Sequence, residues 1–153
     1  KMNYKIEVLD DCNVIYVRNK GKYGSNRNYE MMKNFKEWIK ENSYWRYVET
    51  NGILGVALDD PQIVEEESCR YDLVLKIDED VKINDFINSR SFTGGKYVVF
   101  AIPHTTKDVK DFYSNLPNII DNNNLRVKNE PILERYKEEE GKDKYCEVLI
   151  PIL

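Results

Sequence analysis

The segment Tyr145-Cys146-Glu147-Val148-Leu149-Ile150-Pro151-Ile152 is a run of mostly apolar residues interrupted by one carboxylate. Side chains alternate along a β-strand, so Tyr145, Glu147 and Leu149 share one face and the remaining side chains share the other. Both faces are largely apolar, which predicts a strand covered on both sides. A carboxylate in such a strand is paired with a cation, protonated, or available to a cationic ligand. A Lys or Arg partner at the strand edge and a ligand site are both open on this evidence.

The composition around this segment is that of one globular domain, expected to cover residues 2–153. The chain has 153 residues, of which 41% are hydrophobic and 33% charged, with a formal net charge of -4. Because nucleic-acid binding requires a basic surface, direct contact with nucleic acid is not expected. No apolar run approaches the roughly 18 residues that span a bilayer, so no membrane association is expected.

The cysteines and the single histidine indicate neither disulfides nor a metal site. Cys12, Cys69 and Cys146 are far apart and odd in number, which is typical of free thiols in a reducing cytoplasm. His104 has no neighbouring ligands in the sequence. We therefore expect a cytoplasmic protein without a metal or other cofactor.

The order of predicted elements occurs twice. In the first half, the patterns predict a strand at 13–18, a turn at 21–24, a helix from about 28 to 41, and strands at 52–58 and 70–77. In the second half they predict a strand at 96–102, a helix capped by Thr105 or Thr106 and kinked or ended near Leu116 by Pro117, and strands at 131–136 and 145–152. An extra strand at 4–9 opens the chain, and residues 78–92 form a linker with a short helical turn at 83–87.

This repetition predicts an α+β fold built from a duplicated β-α-β-β unit with pseudo-twofold symmetry. The half-repeats cover about 3–77 and 93–153. Pairing the two units gives one antiparallel sheet with helices on one side. A cleft between similar halves is a natural place for a ligand.

Six short segments, in this order, carry a resemblance to a known family. They are Met2-Asn3-Tyr4-Lys5-Ile6, Arg18-Asn19-Lys20-Gly21-Lys22-Tyr23-Gly24, Phe35-Lys36-Glu37-Trp38, Gly55–Pro61 followed by Cys69–Asp72, Thr93–Phe100 and Glu147–Ile152. The chain resembles the GyrI-like small-molecule-binding domains, with Lys22 where proline is usual. This superfamily includes the DNA gyrase inhibitor and the effector-binding domains of AraC-type and MerR-type regulators.

The resemblance implies a ligand cleft for lipophilic, aromatic and often cationic molecules, with a glutamate of the final strand inside it. Glu147 falls on that position, so we expect it at the base of the cleft. The candidate walls are aromatic: Tyr136, Tyr71, Tyr145, Phe100, Tyr113 and Trp38. Trp38 lies on the helix stripe, where core packing is the favoured interpretation, and Phe100 alternates with Val98 and Ile102, so packing under a helix is open for it. Asp72 is expected in a strand salt bridge with Arg70 or Lys76.

Two functions of different kinds follow, and we favour the first. A binding module would capture lipophilic cations in a multidrug-type manner, as an effector sensor or by sequestration. As the alternative, some free-standing relatives are thought to hydrolyse strained cyclopropane-bearing natural products, and burial could raise the Glu147 pKa for proton transfer. A gyrase-inhibitor-like contact with a protein is a weaker alternative, and the sequence does not identify such a partner.

Overall fold

The computed structural model describes residues 2–138 and 144–153. Its strands are β1 (Lys5–Leu9), β2 (Cys12–Lys20), β3 (Ile53–Ala57), β4 (Arg70–Lys76), β5 (Asn88–Phe92), β6 (Gly95–Pro103), β7 (Leu133–Tyr136) and β8 (Tyr145–Ile152). Its helices are α1 (Asn26–Glu41), α2 (Trp45–Asn51), α3 (Thr106–Ser114) and α4 (Leu116–Asn122), with a single 3-10 turn at Glu66–Ser68. The predicted α+β class is confirmed.

All eight strands form one antiparallel sheet in the order β1-β6-β8-β7-β3-β4-β2-β5. The two half-repeats, β2-α1-α2-β3-β4 and β6-α3-α4-β7-β8, meet where β3 pairs with β7. Gly55 lies opposite Glu134 in this central pair. Ile53-Leu54 precede Gly55 as Ile132-Leu133 precede Glu134, so the two apolar pairs occupy matching positions in the two halves.

Two local features differ from the predictions. The region predicted as a linker contains β5, which pairs with β2, and no helical turn occupies 83–87. The short helix α2 was not predicted. The second predicted helix is divided into α3 and α4 at Asn115, with Pro117 in the first turn of α4. That division agrees with the expected effect of Pro117, because proline has no N–H to continue a helix but fits a first turn.

The helices cover one face of the sheet and create one apolar core in each half. In the first half, Met31, Phe35 and Ile39 recur every four residues on α1 and pack on odd-numbered side chains of β2 and β4. In the second half, Phe112 of α3 and Ile119 of α4 pack on β6 and β8. We call this side of the sheet the helical face.

The opposite face is strongly curved, because two short linkers join strands that are distant in the sheet. Asp10-Asp11 connects β1, at one edge, to β2, the seventh strand, and Thr93-Gly94 connects β5, at the other edge, to β6, the second strand. The three residue steps from β1 to β2 span at most about 10 Å, whereas six strand spacings of a flat sheet span about 29 Å. The sheet therefore curls until its edges meet, and we call its inner side the concave face.

The concave face has its own core, made of strand residues alone. Leu54, Val74, Val99, Leu133 and Leu149 are all at most 9% exposed, and no helix residue belongs to this cluster. Strands bury one another here because the curled sheet packs against itself. The two faces of the sheet are thus built differently: helices cover one, and the strands themselves enclose the other.

Candidate functional site

The helical face carries a carboxylate at the junction of the two halves. Along β7, Leu133 and Arg135 point to the concave face, so Glu134 and Tyr136 point to the helical face. Glu134 is opposite Gly55 of β3 on one side and Val148 of β8 on the other. It is therefore in the middle of the sheet, yet it is only partly buried.

Gly55 makes room for a tyrosine to reach this carboxylate. A Cβ built on Gly55 would lie 2.1 Å from the Tyr71 hydroxyl and 3.0 Å from its ring carbon Cζ. The Tyr71 ring therefore extends from β4 over Gly55 of β3, and its hydroxyl lies beside Glu134 and Tyr136. Glycine is required here because any larger residue would occupy the path of the ring.

Two of the tyrosines donate hydrogen bonds to this carboxylate. The Tyr136 hydroxyl lies 3.1 Å from Oε1 of Glu134, and the Tyr113 hydroxyl, on α3, lies 3.3 Å from Oε2. Burial, followed by the nearby Glu134 charge, raises the pKa of the Tyr71 and Tyr113 hydroxyls, and burial likewise raises the pKa of Tyr136. The phenols therefore stay protonated at neutral pH and act as donors. We call Glu134, Tyr71, Tyr113 and Tyr136 the carboxylate–tyrosine cluster.

The cluster lies at the junction of the two cores. Tyr71 packs against the first core, whereas Tyr113 and Tyr136 belong to the second. Met32 of α1 packs against both cores, so it crosses the junction. The exposed His104 contacts the Tyr136 ring edge-on, with centroids 5.3 Å apart.

The structure places Glu147 elsewhere, on the concave face. Its Oε1 accepts a hydrogen bond from Nε of Arg135 at 2.8 Å, and its Oε2 lies 3.6 Å from the Lys5 ammonium. Burial raises the Glu147 pKa, but the Arg135 hydrogen bond and the Arg135 and Lys5 charges outweigh it, so the pKa is lowered overall. The expected juxtaposition of Glu147 with the tyrosines, and a raised pKa, are therefore corrected: this carboxylate is an ionised partner of Arg135.

The other predicted wall residues divide in the same way. Tyr145 is 62% exposed at the start of β8. Phe100 is fully buried and packs on Phe112 under α3, with ring centroids 5.5 Å apart. Trp38 is partly buried in the first core, where it stacks on Phe35. Of the predicted set, the structure brings together Tyr71, Tyr113 and Tyr136.

Sequence reasoning missed Glu134, although two signals pointed to it. Alternation along β7 places Glu134 on the same face as Tyr136, which had been selected. Matching Ile53-Leu54 with Ile132-Leu133 also places Glu134 at the position of Gly55, so a large acidic residue stands where the other half has none. The two halves pack in the same way, so packing alone does not require a glutamate at this position of one half only. Such a difference marks a candidate functional residue.

Asp72 has a structural role, as expected, but with other partners. It is fully buried and bonds to Nε of Arg18 at 2.6 Å and to Nη2 of Arg90 at 3.0 Å. Arg70, which had been expected to pair with Asp72, instead bonds to Asp59 at 3.0 Å. The Arg70 hydrogen bonds lower the Asp59 pKa to about 2.

The described parts of the chain contain neither a metal-binding cluster nor a membrane-spanning helix. Among residues 2–138 and 144–153, no group of three or more His, Cys, Asp or Glu side chains is arranged to hold a metal ion. None of the helices described in these ranges is long and apolar enough to cross a membrane.

Comparison with known proteins agrees with the duplicated fold. The sequence pattern of the GyrI-like small molecule binding domain matches residues 2–153. The chain belongs to the GyrI-like family. It is 38% identical over 151 residues to the "SPbeta prophage-derived putative transcriptional regulator YosT" of Bacillus subtilis (strain 168), and the match covers 99% of each chain.

Several solved structures share the fold at low identity. SAV2435 bound to tetraphenylphosphonium is 15% identical with a TM-score of 0.61, and the match covers 99% of this chain and 94% of that one. A hydrolase encoded by lin2189 from Listeria innocua is 8% identical with a TM-score of 0.64, covering 100% and 93% of the two chains. The EcmrR C-terminal domain is 11% identical with a TM-score of 0.61, covering 99% and 97%.

Proposed function

We propose that this GyrI-like protein binds lipophilic aromatic cations at the carboxylate–tyrosine cluster and acts as an effector-binding or sequestering module. The observation that carries the proposal is the partly buried Glu134 carboxylate, which accepts hydrogen bonds from the Tyr113 and Tyr136 hydroxyls and lies beside the Tyr71 hydroxyl at the junction of the halves. The carboxylate supplies charge attraction. The phenol rings supply flat walls, each worth about 0.5–2 kcal/mol to a cation over its face.

The family and the relatives support this assignment. The family is defined by small-molecule binding, and a structural neighbour, SAV2435, was solved with tetraphenylphosphonium. The B. subtilis relative carries the name of a transcriptional regulator. A regulatory role for this chain would place cation binding upstream of a protein partner, since its acidic composition offers no basic surface for DNA.

The decisive test measures the affinity for tetraphenylphosphonium by titration in a calorimeter. We expect Glu134→Gln to weaken binding at least about tenfold, which corresponds to about 1.4 kcal/mol. Glu147→Gln is the matched control, because it removes a carboxylate from the other face of the same sheet, and its affinity should stay near that of the wild type. Tetraphenylborate has the same shape and the opposite charge, so it should not bind at this cluster.

Equal affinity of the wild type and Glu134→Gln for tetraphenylphosphonium would overturn the proposal. A selective loss in Glu147→Gln would instead restore the expectation from sequence that Glu147 binds the ligand. Circular dichroism of each variant establishes that the folded state is retained.

Hydrolysis of an electrophilic natural product is the second candidate. It is favoured by the direct contact of a carboxylate with protonated phenols, a pairing that can move a proton to or from a bound substrate, and by the fold shared with the L. innocua hydrolase. Incubation with a cyclopropane-bearing compound, followed by mass spectrometry, distinguishes the candidates. Turnover adds the mass of one water to the compound, whereas binding leaves its mass unchanged.

A further inference from the structure

The concave face contains a groove of about 350 Å³ that the carboxylate–tyrosine cluster does not touch. This volume is within the range of about 300–1,000 Å³ that is typical of small-molecule pockets. Its floor is apolar and comes from separate strands: Leu9 of β1, Val14 of β2, Leu54 of β3, Val74 of β4 and Phe92 of β5. The groove is thus inside the curl, on the opposite side of the sheet from Glu134.

The mouth of the groove is basic. Lys5, Lys76, Lys137 and Arg135 line it, together with the carboxylates of Glu7 and Asp10. A buried ion network uses part of this charge: Arg135, only 4% exposed, bonds to Glu7 at 2.6 and 3.0 Å and to Glu147 at 2.8 Å. Lys5 lies 3.7 Å from Glu7 and 3.6 Å from Glu147.

Lys76 and Lys137 are outside this ion network. Within the described residues, neither ammonium lies within salt-bridge distance of a carboxylate, whereas the other lysine of the mouth does. Lys76 is partly buried on β4 beside the apolar floor, and Lys137 is exposed just after β7. The groove therefore combines an apolar floor with two ammonium groups that make no short ion pair within the described residues, and the Lys137 charge acts on Glu7 and Glu147 only from a distance, as one of those that lower their pKa.

We propose that this groove is a second binding site, for an amphiphilic carboxylate such as a medium-chain fatty acid. The acyl chain lies on the floor formed by Leu54, Val74 and Phe92, and the carboxylate meets Lys76 and Lys137. Burial of the acyl chain adds apolar stabilisation, and the two lysines supply the charge attraction that distinguishes a carboxylate from a neutral amphiphile. This site is independent of the proposed cation site, because it is on the other face of the sheet.

Cys12 gives a direct readout of occupancy. It lines the groove and is partly exposed, whereas Cys69 and Cys146 are both 1% exposed. A thiol reagent such as dithiobis(nitrobenzoate) therefore reacts first at Cys12 in the folded protein. We expect decanoate to slow this reaction at least about tenfold at saturation, whereas decanol, which lacks the charge, should protect much more weakly.

The variant that tests the assignment is Lys76→Gln/Lys137→Gln, with decanoate binding measured by calorimetry and by Cys12 protection. We expect at least about a tenfold weaker affinity, and an unchanged affinity for tetraphenylphosphonium. Lys33→Gln/Lys110→Gln is the matched control, because both lysines are exposed on α1 and α3 and are remote from the groove. Its decanoate affinity should equal that of the wild type.

Three results would overturn the proposal: no Cys12 protection by decanoate, equal protection by decanol, or equal decanoate affinity in the double variant and the wild type. Glu134→Gln separates the two sites, since it should weaken tetraphenylphosphonium binding and leave decanoate binding unchanged. Failure of decanoate binding with intact cation binding removes only the second site.

Discussion

At the scale of single residues, Gly55 and Tyr71 depend on each other. A Cβ at position 55 would lie 2.1 Å from the Tyr71 hydroxyl, so Gly55→Ala forces the ring out of its path. Overpacking of this kind costs about 1–3 kcal/mol. We expect urea unfolding to show a loss in that range for Gly55→Ala, and a smaller loss when Tyr71→Phe is also present, because the hydroxyl that clashes is then absent.

A double-mutant cycle measures this dependence. The coupling between Gly55→Ala and Tyr71→Phe should exceed about 0.5 kcal/mol, since the groups are in contact. Gly55→Ala combined with Tyr16→Phe is the control: Tyr16 lies on β2 beside Arg18 and Arg90, away from Gly55, so the two effects should add. Additive effects for Tyr71→Phe as well would contradict the close approach on which the cluster depends.

At the scale of elements, Arg135 fastens the edge strand β1 to the central strand β7 through Glu7. The Arg135 hydrogen bond lowers the Glu7 pKa below its ordinary value of 4.5 against an opposing effect of burial, and the Glu147 pKa is also lowered. A lowered folded-state pKa stabilises the fold above the ordinary value, and that stability is lost as the pH falls through the folded-state pKa. We therefore expect the free energy of unfolding to decrease from about pH 5 towards about pH 3.

The variant Glu7→Gln isolates this contribution. It should be less stable than the wild type at neutral pH and lose less stability on acidification, because one of the titrating groups is absent. Glu30→Gln, on the exposed side of α1, should keep the wild-type pH profile. If the free energy of unfolding fell equally with pH in Glu7→Gln and the wild type, protonation of Glu7 would not be what weakens the link between β1 and β7.

The sequence predicts those strands and helix ends that depend on local chemistry. β8 was predicted at its observed bounds, and the break before Pro117 was predicted because both follow from local chemistry. β5 was missed because Asn-Ser-Arg-Ser-Phe has no apolar alternation and is a strand only through its pairing with β2. Glu147 was expected beside Tyr71, Tyr113 and Tyr136 but lies on the other face of the sheet from them, for a related reason: alternation separates the two faces of β8 but does not say which side chains of other strands share each face.

At the scale of the whole molecule, the curl of the sheet was beyond sequence reasoning, because it depends on which distant strands pair. The two linkers, Asp10-Asp11 and Thr93-Gly94, cross where the edges of the sheet meet, and the Gly94 N–H donates to the Asp11 carboxylate at 2.7 Å. The concave core and the groove both depend on this closure. The crossing is therefore the point where a single substitution should affect the entire concave face.

Gly94→Ala tests that dependence. A Cβ on Gly94 would lie 2.0 Å from the Leu9 carbonyl oxygen and 2.7 Å from the Asp10 carbonyl carbon, and backbone atoms cannot rotate away as a side chain does. We expect a loss of about 3 kcal/mol in urea unfolding, at the upper end of overpacking effects. Cys12 should also react faster with a thiol reagent, because the linkers that hold β1 beside β2 must separate.

The control is Thr93→Ala at the exposed neighbouring position, which should change stability by less than about 0.5 kcal/mol. Wild-type stability and Cys12 reactivity in Gly94→Ala would mean that the linkers can separate without opening the sheet, and the closure would then not hold the concave face together.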